Sequence, residues 1–237
     1  MFLYYVRHGD PIYDPDSLTP LGKRQAEAIS HRLSVHGLDE IYVSSSNRAI
    51  MTAQPTCEIL KKEPVVLDWT NEKYAWEQLT TETNGRLDWG FHTESIRSLF
   101  TTKEMRSLGN LWYEHPVFEG TQYKEGYLRI RKETHAFLAS QGFVFDEEKG
   151  QYRNCIKNDK RVALFAHQGF GLAFLSCVMD IPYPEVCTKM DMTHSGMTVI
   201  WFDPDKEYVI PCILELSNDS HLYKDGLPTK YANRFYV

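Results

Sequence analysis

Two segments of this 237-residue chain have the composition of buried strands, and each ends in a histidine followed closely by a glycine. Arg7-His8-Gly9 ends the first segment, and His167 ends the second. An imidazole can act as a nucleophile or a proton carrier, and a guanidinium makes forked hydrogen bonds to phosphate oxygens. In open α/β sheets, ligands bind at the carboxyl ends of the strands. The two segments therefore predict a site for an anionic group at one edge of a sheet.

A second cation and a set of acids extend this candidate site. Arg48 follows a third predicted strand, at the start of a helix whose positive end could also hold an anion. If the three strands are neighbours, two histidines and two arginines converge on one small space. The arginines would neutralise a phosphoryl group while one histidine attacks phosphorus. The proton donor for the leaving oxygen is left open among three acids after the next strand: Glu72, Glu77 and Glu82.

Apolar periodicity, caps and turn residues predict the elements that would position these side chains. The predicted strands are Leu3–Val6, Glu40–Val43, Val65–Leu67, Arg161–Ala166, Thr198–Phe202 and Tyr208–Leu216. The predicted helices run from Thr19 to His36, from Arg48 to Lys62, around Ser95–Leu108, over Tyr123–Ala139 and from Gly169 to Met179. We expect Pro55 to kink or divide the second helix. The other predicted segments are a polar loop over Pro11–Ser17, an acidic connection over Trp69–Glu82, a β-hairpin over Phe143–Cys155 and a polar tail.

This alternation of strands and helices indicates an α/β fold. We predict a three-layer sandwich in which helices flank a mainly parallel central sheet. A mainly helical cap that contains the hairpin is inserted at about residues 85–155, and residues 1–237 form a single domain. The hydrophobic fraction of 42% is sufficient for a core of this size. His194 and Ser195 belong either to the rim of the pocket or to a plain loop.

Composition and charge argue against several classes of function. The net charge of −6 argues against non-specific binding of nucleic acid, which needs a basic surface. The sequence predicts neither a membrane span nor a signal peptide. The cysteines are scattered and lack metal-ligand spacing, which is typical of reduced thiols in the cytoplasm and makes a zinc site improbable: Cys57, Cys155, Cys177, Cys187 and Cys212. We therefore expect a cytoplasmic protein without metal or cofactor, and the sequence leaves a homodimer open.

Taken together, the motifs resemble the histidine phosphatase superfamily, the phosphoglycerate-mutase-like enzymes. The matching pieces follow the family's order: Val6–Gly9, Leu18–Gly22 with Gln25 and Ala26, Ser44–Ala49 with Thr52 and Ala53, Asn71-Glu72, Trp76-Glu77 and His167–Gly169. They are spread over most of the chain outside the predicted cap. The Asp10-Pro11 opening after the first motif is more similar to the bacterial phosphatases of the group than to its mutases.

The resemblance implies a role for each candidate residue. His8 would be the phosphorylated nucleophile, and Arg7, Arg48 and His167 would bind the phosphoryl group. Glu72 fits the place of the general acid best, although Glu77 remains open. The predicted activity is hydrolysis of a small-molecule phosphate ester through a phosphohistidine. No metal is required, because protein cations meet the phosphoryl oxygens.

Two alternatives to a phosphatase remain at this stage. A phosphoglycerate-type mutase would return the phosphoryl group to its substrate. However, the segment between His8 and Thr19 lacks the Trp-Asn and Thr-Gly elements of cofactor-dependent mutases, and it is acidic. A non-catalytic module that binds a phospho-ligand or a protein would keep the pocket without turnover. The intact set of two histidines and two arginines argues against this second alternative.

Overall fold

The computed structural model describes residues 1–83, 85–231 and 235–236. Its strands are β1 (Phe2–Arg7), β2 (Pro11–Tyr13), β3 (Asp16–Leu18), β4 (Glu40–Ser44), β5 (Val65–Leu67), β6 (Thr80–Thr83), β7 (Arg86–Trp89), β8 (Phe143–Asp146), β9 (Gln151–Asn154), β10 (Arg161–Ala166), β11 (Met197–Trp201), β12 (Tyr208–Val209), β13 (Cys212–Asn218), β14 (Lys230–Tyr231) and β15 (Phe235–Tyr236). Its α-helices are α1 (Pro20–Ser34), α2 (Asn47–Leu60), α3 (Glu72–Leu79), α4 (Glu94–Phe100), α5 (Lys103–Leu108), α6 (Tyr123–Ser140), α7 (Gln168–Met179), α8 (Tyr183–Lys189) and α9 (Ser220–Lys224). Short 3₁₀ helices cover Asp68–Thr70, Gly90–His92, Gly109–Glu114 and Pro116–Phe118.

The central sheet has the strand order β13-β11-β1-β10-β4-β5 among the described residues. The strands β1, β10, β4 and β5 are parallel, and β11 runs antiparallel to its neighbour β1. The edge strand β13 is antiparallel to β11 and therefore runs in the same direction as β1. The carboxyl ends of β1, β10 and β4 therefore meet at one edge of the sheet. The predicted fold class, a mainly parallel sheet flanked by helices, is confirmed.

The hydrophobic core lies on both faces of this sheet, as alternate residues of β10 demonstrate. Leu164 belongs to the cluster on the α6 and α7 side, and Phe165 belongs to the cluster on the α1 and α2 side. Strands buried on both faces need apolar residues at successive positions, which explains the continuous apolar run of β10. The site can therefore form where this run ends and polar side chains begin.

The start of α1 fixes the turn that follows β1. The Thr19 hydroxyl accepts a hydrogen bond from the Gly22 amide at 3.0 Å, and Pro20 opens the helix, as their order in the sequence predicts. A side chain at Gly9 would place its Cβ 2.6 Å from the Gly22 carbonyl oxygen. Glycine at both positions thus lets the turn after His8 pack directly on the first turn of α1.

The predicted cap is built largely from aromatic side chains. Trp112 is completely buried, and its ring contacts several others at centroid distances of 5.2–6.1 Å, from Phe100, Phe118, Tyr123, Tyr127 and Tyr183. The same hydrophobic cluster continues into α7 and the central sheet. The cap and the sheet therefore share one core, and the division into one domain with an insertion stays a prediction.

The structure corrects four local predictions. The polar loop Pro11–Ser17 is instead the β2–β3 hairpin, and the connection Trp69–Glu82 contains α3 and the strand β6. The predicted strand Tyr208–Leu216 is two strands, because β12 pairs with β9 whereas β13 pairs with β11. The helix α2 continues through Pro55, so the proline does not divide it. The helix α8 was not predicted, and positions 232–234 and 237 of the predicted polar tail lie outside the described residues.

Other predicted elements agree with the structure. The hairpin Phe143–Cys155 is formed by β8 and β9, and its turn contains Gly150 at a φ of 62°. All five cysteines are free. No helix in the described part of the chain has the length and apolar character needed to cross a membrane.

Burial of Trp112 predicts a large loss of stability on truncation. Trp112→Ala is expected to lower the free energy of unfolding by about 3–5 kcal/mol, because it removes apolar contacts and leaves a cavity. The matched control is Leu111→Ala, since Leu111 is 56% exposed and its truncation should cost less than about 0.5 kcal/mol. Urea unfolding measures both values, and equal losses would contradict the proposed cap core.

Candidate active site

Three strand ends bring four of the five predicted site residues together. Arg7 is the last residue of β1, His8 follows it, and His167 follows β10. The His8 amide donates to the Ala166 carbonyl at 2.9 Å, which keeps the two strand ends together. Arg48 lies in the first turn of α2, immediately after β4. The histidine rings of positions 8 and 167 are consequently 5.2 Å apart between centroids.

The imidazole of His8 is buried, and one of its two ring nitrogens has a hydrogen-bond partner. Its Nδ1 lies 2.7 Å from the Gly9 carbonyl oxygen, which can only accept, so Nδ1 carries the proton and donates. The lone pair is therefore on Nε2. Burial, and then the charges of Arg7 and Arg48, hold the pKa of His8 well below its usual value. A neutral imidazole with a free Nε2 is the form that acts as a nucleophile.

His167 lies between two hydroxyls and a carboxylate. Its Nε2 is 2.8 Å from the Ser44 hydroxyl and 3.3 Å from the Ser46 hydroxyl, and its Nδ1 is 3.6 Å from Glu72 Oε2. Its ring is fully buried, and burial, followed by the charge of Arg48, lowers its pKa well below the usual value. Among the described residues, Nδ1 has no hydrogen-bond partner, so it can still contact a ligand.

Glu72 occupies the first turn of α3 and bridges three elements. Its Oε1 accepts a hydrogen bond from the Gly169 amide at 2.9 Å, at the start of α7. Its Oε2 pairs with Arg48 Nη2 at 3.2 Å. Glu77 and Glu82, the two other acids considered from the sequence, are exposed to solvent. The structure thus brings Glu72 together with the histidines and does not bring the other two acids there.

Arg48 also pairs with an acid that sequence reasoning did not select. Asp16 Oδ1 accepts from Arg48 Nη1 at 2.9 Å, and Asp16 Oδ2 accepts from the Asn47 amide at 2.7 Å. The anion expected at the start of α2 is therefore supplied by the chain itself. Burial lowers the pKa of Arg48, but the charges of Glu72 and Asp16 outweigh it and raise that pKa overall.

Arg7 belongs to a second chain of contacts that the sequence did not reveal. Its Nη1 donates to the Met192 carbonyl, and its Nη2 lies 2.7 Å from His194 Nε2. Because arginine only donates, Nε2 accepts and Nδ1 of His194 carries the proton. That nitrogen is 3.4 Å from Asp10 Oδ1, and the same oxygen accepts a hydrogen bond from Lys230 at 2.9 Å. The sequence showed His194 only as a histidine shortly before a buried strand, and such a residue is equally common in a loop without function.

The site contains a donor set that a metal ion could also use. One ligand atom from each of His8, Glu72 and His167 lies within 4.8 Å of the others. A divalent cation at this point would be repelled by the guanidinium groups of Arg7 and Arg48, whereas a phosphoryl group would be attracted. The surrounding charge therefore favours an anion.

A cavity of about 490 Å³ opens above these groups. Its lining includes the two arginines and Glu72. The other lining residues come from β2, the start of α3, β7, the 3₁₀ helix after β7 and the start of α7: Tyr13, Asn71, Lys73, Trp76, Arg86, Asp88, Trp89, His92 and Gln168. Trp112, in contrast, belongs to the core of the cap. The cavity gives a ligand access to the strand ends.

Comparison with known proteins finds a family model that matches part of the chain and solved structures that share its fold. Residues 3–110 match the family model of the histidine phosphatase superfamily (branch 1), which confirms the resemblance based on the motifs. No curated protein matches the chain. Among solved structures, the phosphoserine phosphatase of Entamoeba histolytica in complex with 3-phosphoglyceric acid is 16% identical with a TM-score of 0.58, over 93% of this chain and 98% of that chain.

Two further structures have the same fold at similar identity. A mycobacterial glucosyl-3-phosphoglycerate phosphatase is 18% identical with a TM-score of 0.57, over 91% of this chain and 98% of that chain. A putative alpha-ribazole-5'-P phosphatase from Escherichia coli K-12 is 14% identical with a TM-score of 0.58, over 92% and 98%. These similarities show the fold alone.

The lowered pKa values of the site histidines predict that acid destabilises the protein. A histidine in the unfolded chain has a pKa of about 6.5, so below that pH the unfolded state binds more protons than the folded state. The free energy of unfolding is therefore expected to fall as the pH drops from 7.5 to 5.5. Each buried histidine contributes at most about 1.4 kcal/mol per pH unit. Urea unfolding in buffers without phosphate or sulfate measures this slope.

Two variants test whether the site histidines cause this dependence of the free energy of unfolding on pH. His194→Asn keeps an acceptor for Arg7 but cannot titrate, so it should reduce the slope. His36→Gln, at an exposed position, is the matched control and should leave it unchanged. A slope that His194→Asn does not alter would contradict the assignment.

Proposed function

We propose that this chain, whose residues 3–110 match the histidine phosphatase superfamily (branch 1), hydrolyses phosphate monoesters through a phosphohistidine at His8. The family match and the phosphatases of the same fold support phosphoryl transfer or hydrolysis at a histidine. A small phosphorylated molecule is the substrate class that these neighbours suggest, since one was solved with 3-phosphoglyceric acid. The reaction needs no metal ion in this proposal.

Unpartnered donors at the site are the observation that carries the proposal. The Nε atoms of Arg7 and Arg48 are buried, and neither makes a hydrogen bond within the described part of the chain. Buried donors without partners cost free energy, particularly when they are charged. The oxygens of a phosphoryl group would accept from both guanidinium groups and compensate their charge. The free Nε2 of His8 would then face phosphorus.

The proposed reaction has two steps. His8 Nε2 attacks phosphorus as the bond to the leaving oxygen breaks, and Glu72, in its protonated form, gives its proton to that oxygen. Arg7, Arg48 and His167 hold the phosphoryl oxygens. Water then attacks the phosphohistidine while Glu72 takes up its proton, and phosphate is released from a regenerated imidazole. The amide of Gly169 and Arg48 orient the Glu72 carboxyl group throughout.

Two acidic side chains, one in the β2–β3 hairpin and one just before it, argue for hydrolysis over the mutase alternative. Asp16 neutralises one side of Arg48, and Asp10 faces Lys230 and His194 on the other side of the site. A mutase must hold an intermediate with a second anionic group, and these carboxylates already occupy cations that could bind it. Water can instead reach and discharge the phosphohistidine.

The nucleophile is tested by His8→Ala. Labelled substrate and a mild quench should trap a base-stable, acid-labile phosphoenzyme in the wild type, in the presence of EDTA. His8→Ala should abolish the label and lower turnover by at least roughly 10⁴-fold, whereas the exposed-site control His36→Ala should not. Wild-type turnover by His8→Ala, or a strict need for a divalent ion, would refute the mechanism. Isomerisation of 3-phosphoglycerate without release of phosphate would instead favour the mutase.

The general acid is tested by the basicity of the leaving group. Glu72→Gln should lower kcat for propyl phosphate by roughly 10²–10⁴-fold, because an alkoxide needs a proton to depart. It should lower kcat for p-nitrophenyl phosphate much less, because a nitrophenolate leaves without help. Glu77→Gln on the same helix is the matched control. If Glu77→Gln shows this selective loss and Glu72→Gln does not, the assignment is wrong.

A further inference from the structure

The cavity above the strand ends is much larger than a phosphoryl group. A phosphoryl group fills a volume on the order of a few water molecules, each about 30 Å³. The cavity measures about 490 Å³, within the range that holds drug-sized ligands. An adjoining cavity of about 380 Å³ shares His92 and Gln168 with it. Most of this space is therefore available to the alcohol part of a phosphate ester.

Indole rings form the wall of the larger cavity. The rings of Trp76 and Trp89 are 5.2 Å apart between centroids and nearly perpendicular at 87°, so they form a corner. Both rings line the cavity, as does Tyr13. Trp89 is fixed from behind, because it stacks on Phe91 and packs against Gly169. A rigid aromatic corner favours a planar, apolar group that packs edge-to-face or offset against it.

The charged groups of the wall do not outweigh this preference. Lys73 lies over the ring of Tyr74, and Arg86 is exposed at the rim. Asp88 pairs with His92 at 3.2 Å, which adds an acid to the same wall. Exposed cations next to an acid are weak binders of a second anionic group, because water screens them.

We propose that the substrate is a phosphate monoester whose alcohol carries a planar aromatic group, and that this group packs against the corner formed by Trp76 and Trp89. The proposal rests on the proposed function, because it places the phosphoryl group at His8. It assigns substrate selection to the indole corner and not to the rim cations.

Matched alkyl esters test this proposal without changing the basicity of the leaving oxygen. Propyl phosphate and 3-phenylpropyl phosphate both release a primary alcohol. The wild type is expected to have a kcat/KM about 10-fold higher for the phenyl ester, from burial of the ring. Trp76→Leu should reduce this ratio to about 2. Tyr74→Leu, which removes an aromatic residue of the same helix that does not line the cavity, should leave the ratio unchanged.

Several outcomes would overturn the proposal. The first is equal kcat/KM values for the two esters, and the second is a higher kcat/KM for 3-phosphoglycerate than for the phenyl ester. The third is a Trp76→Leu variant in which the ratio of the two kcat/KM values stays at the wild-type value. Binding of propylphosphonate and 3-phenylpropylphosphonate, measured by calorimetry, is independent of turnover. If no ester is hydrolysed, the proposed function fails, and the phosphonates alone decide whether the aromatic site exists. Equal Kd values would then overturn it.

Discussion

The buried guanidinium of Arg7 is the constraint on which the site depends. It is only 3% exposed, and burial lowers its pKa from the usual value while nearby acids, led by Asp191, oppose that effect. A buried cation is tolerated only when its donors find acceptors. A carbonyl oxygen and His194 satisfy two of its nitrogens, and Nε remains without a partner in the described residues. The site is thus built to receive an acceptor with negative charge.

The same constraint keeps the histidines neutral. His8, His167 and His194 are buried close to two arginines, so protonating any of them would add a charge next to existing ones. Their pKa values are lowered by burial first and by these cations second. A neutral His8 keeps the lone pair that nucleophilic attack requires. An incoming anion would offset the positive charge of the two arginines, which links ligand binding to the proposed attack by His8.

The cap is joined to this chemistry through one close contact. The indole of Trp89 packs on Gly169 so closely that a Cβ there would lie 2.2 Å from the ring. The amide of that glycine in turn holds Glu72. The residues proposed to select the alcohol and the acid proposed to protonate it therefore rest on the same first turn of α7.

The sequence by itself determined the sheet edge and its four principal side chains. Arg7, His8, Arg48 and His167 follow strands with strong local signals, and parallel strands carry their ends to one edge. The sequence alone did not decide which acid faces the site, because Glu72 and Glu77 are five residues apart and point to different sides of α3. Only packing against α7 decides which side faces the histidines.

Contacts between residues far apart in the sequence decided which partners surround the charged side chains of the site. His194 and Asp10 meet over 184 residues of chain, and Asp16 reaches Arg48 from a hairpin that read as a polar loop. No local pattern of residues encodes such pairs, since they arise from how β1, β11 and α2 are placed in space. Short-range periodicity and capping residues in the sequence specify the helices and strands. The partners of a buried charge depend on the tertiary structure, because residues far apart along the chain become neighbours only when the chain folds.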